Sequence, residues 1–62
     1  MDNLTKLMTV GTYLIHRKDD AKIMVEKYQQ EGNKEKELYW LGRLDALAFA
    51  LEYVNGAIRH ES

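Results

Sequence analysis

Apolar side chains recur along this chain at intervals of three and four residues, the period of an α-helix, and no two-residue alternation is sustained anywhere. In the first half the repeat runs through Leu7, Val10, Leu14, Ala21, Met24, Val25 and Tyr28, flanked by Leu4, Met8, Gly11 and Ile15. In the second it runs through Trp40, Leu44, Leu47, Leu51, Val54 and Ile58 at 4-3-4-3-4 spacing, widened by Leu41 and Ala48. The pattern predicts two helices, about 4–30 and about 34–59, joined by a turn at 31–33. Asp2 or Asn3 can cap the first. Gly32 supplies the left-handed residue that ends many helices, and Asn33 can cap the second, with Glu35 and Glu37 in its first turn where the helix dipole favours anions. The expected architecture is therefore all-α, with residues 1–62 forming one antiparallel helical hairpin. Its intramolecular core is Leu7, Val10, Leu14, Met24, Tyr28, Trp40, Leu44, Leu47, Leu51, Val54 and Ile58.

One stretch strains this picture. "HRKDDAK", residues 16–22, brings Lys18 and Lys22 into line with the apolar stripe. Either the first helix breaks, with Asp19 or Asp20 capping a new segment, or the lysine stems lie along the edge of the core. The spacing favours a continuous or slightly bent helix. "TVGTYLI" holds strand-prone residues but lacks alternation and has no strand to pair with.

The second helix carries a second apolar line. Gly42, Ala46, Phe49, Tyr53 and Gly56 follow one another at 4-3-4-3 spacing on the side away from Trp40, with Leu38 beside them. A glycine inside a helix costs about 1 kcal/mol relative to alanine, so two of them need a packing reason. Close approach of another backbone is such a reason, and it predicts that the second helix packs on its own hairpin through one face and on another subunit through the other. Asp45, next to this line, would be desolvated there unless paired, and reads as an ion pair or hydrogen bond that fixes register. The expected interface is Leu38, Gly42, Asp45, Ala46, Phe49, Tyr53 and Gly56, and the expected assembly a twofold dimer forming a four-helix bundle. In the competing reading both glycines merely mark helix ends or a kink, and Phe49 is a lone exposed aromatic.

Size supports assembly. At 62 residues a single core supplies only ~3–5 kcal/mol, and the chain has no cysteine for a disulfide or thiolate zinc site and only two histidines. Charge is balanced, nine Lys and Arg against ten Asp and Glu, which weighs against nucleic acid as a partner. The one cationic cluster, Arg17, Lys18 and Lys22, is interrupted by Asp19 and Asp20. Its use by a small DNA-associated regulator is the first alternative. The longest charge-free runs, Leu7 to Ile15 and Ala46 to Leu51, fall far short of the ~20 apolar residues that span a bilayer. The N-terminal stretch is a poor signal peptide, so the expected location is cytoplasmic.

Catalytic chemistry finds no foothold. The one serine is Ser62, no thiol exists, and Gly11, Gly32, Gly42 and Gly56 are isolated and form no phosphate loop. His16 with Asp19 and Asp20 could offer metal ligands, but such spacing is ordinary on a solvated helix face, and no catalytic residue, metal site or cofactor is assigned. Arg43 can cover Tyr39 and Leu47 with its stem, and Glu52 and Arg59 belong to the surface.

The run "EGNKEKELYWLGRLDALAFALEYVNG" resembles small helical accessory proteins of bacteriophages and prophages of low-GC Gram-positive bacteria, which carry a similar "YW-x-G-R-x-D-A-L" stretch in their second helix. The resemblance covers about half the chain and transfers no functional residue. It implies a small cytoplasmic protein that acts by binding. The functional expectation is a non-enzymatic protein–protein interaction module that self-associates: a phage-encoded adaptor, chaperone or inhibitor of a host protein. A second alternative is a heteromeric subunit whose second helix face binds a different protein.

Overall fold

The computed structural model describes residues 2–61, which form two helices, α1 (Asn3–Glu31) and α2 (Lys34–Glu61), folded back on each other as a hairpin. α1 starts at Asp2, whose carboxylate accepts the Thr5 backbone N–H at 2.7 Å. That backbone bond, together with one from the Thr5 side chain, holds the Asp2 carboxyl below its ordinary value of 3.8. The strand-prone threonines lie in the helix with their hydroxyls satisfied by back-bonding: Thr9 and Thr12 donate to the carbonyls of Thr5 and Met8, each at 3.0 Å. α1 runs through residues 16–22 without a break.

The turn is built as its chemistry predicts. Gly32 lies in the left-handed region at φ 72°, its N–H bonds the Gln29 carbonyl, and the Asn33 N–H bonds that of Tyr28, the paired closure of a Schellman motif. Asn33 then caps α2, its side-chain oxygen accepting the Lys36 N–H at 3.2 Å. Lys34 reaches Glu37 at 3.6 Å within the first turn. Lys36 also lies over the Tyr28 ring at 5.3 Å, tying the start of α2 to the end of α1.

The helices meet along one seam. On α1 the least exposed positions are Leu4, Leu7, Gly11, Leu14, Lys18, Ala21, Val25 and Tyr28 in a heptad-type 3-4 alternation, with Met24 beside Val25. On α2 they include Glu37, Trp40, Leu44, Leu47, Leu51, Val54 and Ile58 in the same alternation. A Cβ on Gly11 would sit 3.6 Å from Val54 Cγ1 and 3.9 Å from Ile58 Cδ1, which fixes the antiparallel register at the open end.

Val10 departs from expectation. It is 46% exposed, and Gly11 takes the seam position beside it. The apolar residues of the N-terminal half of α1 cover more than one face, so its heptad frame is set by what α2 presents. Opposite Val54 and Ile58 the frame that continues to Leu14, Lys18 and Ala21 places Gly11 inward and turns Val10 to the flank. The other expected core residues are half-buried, apart from buried Val54. No large side chain among the described residues is completely enclosed, because two helices have only one face each to give the other.

Candidate interaction face

α2 leaves its outer line in solvent. Leu38 is 56% exposed, Phe49 75% and Tyr53 77%, and Gly42, Asp45 and Ala46 are exposed with them, while Gly56 is half-buried. At 100° per residue this line lies ~160° of arc from the Trp40–Ile58 seam, so α1 cannot reach it. Neither glycine is explained by the hairpin. A Cβ on Gly42 would meet nothing within 4 Å, and one on Gly56 would meet only the Arg59 guanidinium at 4.0 Å.

The rim of this face is ordered by aromatic and cationic contacts. Tyr39 and Trp40 stand edge to face with ring centroids 5.4 Å apart, and the Arg43 guanidinium lies 5.4 Å from the Trp40 centroid and 5.9 Å from that of Tyr39. Arg43 thus packs on Trp40 as well as Tyr39, a contact that the spacing did not suggest. α1 adds exposed apolar groups of its own: Met8, Val10, Tyr13, Ile15 and Ile23.

The cationic cluster is taken apart by the fold. Arg17 donates from Nε to the Tyr13 hydroxyl at 3.1 Å with its guanidinium over the same ring, and this contact raises its pKa further. Lys18 lies half-buried on the seam, and only Lys22 of the three extends freely from the helix flank, with Asp19 and Asp20 exposed nearby. Among the described residues no three His, Asp or Glu side chains come together in a metal-binding group. A shallow notch of about 390 Å³, lined by Glu52, Asn55 and Arg59, is polar and belongs to α2 alone. Among the described residues no helix is long and apolar enough to cross a membrane.

Compared with protein-family models, curated proteins and solved structures, the chain matches none.

Proposed function

We propose that this chain is a non-enzymatic protein–protein interaction module that works as a homodimer, two hairpins associating through the outer face of α2 into one four-helix assembly. The observation that carries the reading is the exposure of Leu38, Phe49 and Tyr53 on one helical line, beside small residues that leave room for a second backbone. Aromatic side chains supply much of the energy at protein interfaces, and large exposed ones grouped together on a small chain mark such a site. The resemblance of residues 31–56 to phage accessory proteins supports the same reading of a chain that acts by binding, as an adaptor, chaperone or inhibitor.

Light scattering at micromolar concentration tests it. The expected mass is twice the 7.3 kDa of one chain, and a monomer sinks the proposal. Phe49→Asp removes an anchor of ~3 kcal/mol from each copy and should weaken the dimer by on the order of 10,000-fold, leaving a monomer at micromolar concentration with its helical circular dichroism intact. Leu47→Asp strikes the intramolecular seam instead and should unfold the hairpin itself.

A further inference from the structure

The order of residues along the outer line is itself informative. Gly42 and Gly56 lie seven positions to either side of Phe49, and Ala46 and Tyr53 lie three before and four after it. We infer that the second copy packs its α2 antiparallel to this one about a twofold axis through Phe49. The inference rests on the homodimer reading and specifies its geometry. In this arrangement each Gly42 faces the partner's Gly56, each Tyr53 ring lies over the partner's Ala46, and the two Phe49 rings meet at the axis. Large meets small in the two Tyr53–Ala46 layers, which is how facing layers interdigitate, and the glycines at either end let the two backbones close around the Phe49 pair. A parallel pair would stack Tyr53 on the partner's Tyr53 and Ala46 on the partner's Ala46, overfilling one layer and leaving another void.

The occupant is a second copy for two reasons. The hairpin exposes 4837 Å², against about 4,200 Å² for a compact globule of its mass, and this excess of roughly 600 Å² approaches the ~800 Å² that each partner contributes to a standard interface. The face is also self-complementary about its own midpoint, as an isologous contact requires and a contact with an unrelated protein does not. Because the two apolar lines of α2 are nearly opposite, the four helices stand in the order α1, α2, partner α2, partner α1, a layered bundle with the two α2 helices at its centre. The polar Glu52–Asn55–Arg59 side remains at the rim.

Spin labels on the full chain test the geometry, and the absence of native cysteine makes single-site labelling clean. Asn55→Cys and Glu35→Cys both alter exposed positions off the centre of the face. At 1.5 Å per residue an antiparallel pair centred on Phe49 separates the two Asn55 sites by ~18 Å along the axis and the two Glu35 sites by ~42 Å. Dipolar spectroscopy should therefore read a long Glu35 distance and a much shorter Asn55 distance. A Glu35 distance equal to or shorter than the Asn55 distance, in a chain that still has dimer mass, overturns the antiparallel geometry and leaves the homodimer reading standing. Dipolar signal at neither site together with monomer mass overturns both. Capture of a different protein without self-association does the same.

Discussion

Lys18 is the residue that the seam has least reason to accept. It holds a heptad position between Leu14 and Ala21, where α1 otherwise presents apolar or small side chains, and it is half-buried there. A lysine at such a position lays its methylenes along the partner helix and carries its ammonium out to water, at a cost in stability but with a gain in register. Lys18→Met keeps the stem and removes the charge. It should stabilise the hairpin by about 1 kcal/mol, which raises Tm by ~4–8 °C in a domain of this size. Lys22→Met, one turn further on and exposed, is the control and should change stability by less than about 0.5 kcal/mol. Thermal circular dichroism of the two variants decides the matter. A lower Tm for Lys18→Met would mean that the ammonium makes a contact worth more than the apolar burial.

At the scale of the helix, the glycines separate what the hairpin needs from what the second face needs. Gly11 lies in the seam, yet a methyl group there would make only ordinary contacts with Val54 and Ile58. Gly42 faces open space within one chain. Alanine at either site should raise helix stability by about 1 kcal/mol, and in the monomeric Phe49→Asp background both should show the gain as a higher Tm. In the native background the two should part. Gly11→Ala leaves the dimer dissociation constant unchanged, while Gly42→Ala raises it because the added methyl holds the partner's backbone away; sedimentation reads the difference. The two helices and their turn were legible because the governing chemistry is local. Gly32 and Asn33 act through their own backbone and side-chain groups, and the observed helices differ from the expected bounds by a residue or two at the ends. The outer line of α2 was legible too, since its spacing is independent of α1. The frame of α1 was not. Leu7, Met8, Val10, Gly11, Leu14 and Ile15 satisfy more than one helical stripe, so choosing Gly11 over Val10 depends on Val54 and Ile58, which lie far away in sequence. The stacking of Arg43 on Trp40 is a local i,i+3 contact, which the helical spacing allowed but did not single out from Tyr39 and Leu47.

For the whole molecule the deciding fact is shape. The hairpin extends 45 × 15 × 11 Å with a radius of gyration of 14.2 Å, whereas a compact chain of 62 residues would have about 10.6 Å. Its largest side chains all keep some contact with water. A rod two helices thick encloses little, only Gly11, Ala21 and Val54 among the described residues, and on the homodimer proposal further burial comes from the second copy. Folding and association should then be linked, with the dimer stabilising the folded hairpin by mass action. Two such chains unfold with an entropy of about 0.26 kcal/mol/K, taking ~2.1 cal/mol/K per residue. Each tenfold change in concentration is worth ~1.4 kcal/mol of dimer free energy, so Tm should rise by about 5 °C per decade of protein concentration. Scans from one to one hundred times a starting concentration measure this directly. Phe49→Asp should abolish the dependence and melt at one temperature throughout, below the native protein at every concentration where the dimer is populated. Should the native chain also melt at one temperature across the range, the hairpin is stable alone and its outer face is not what holds it together.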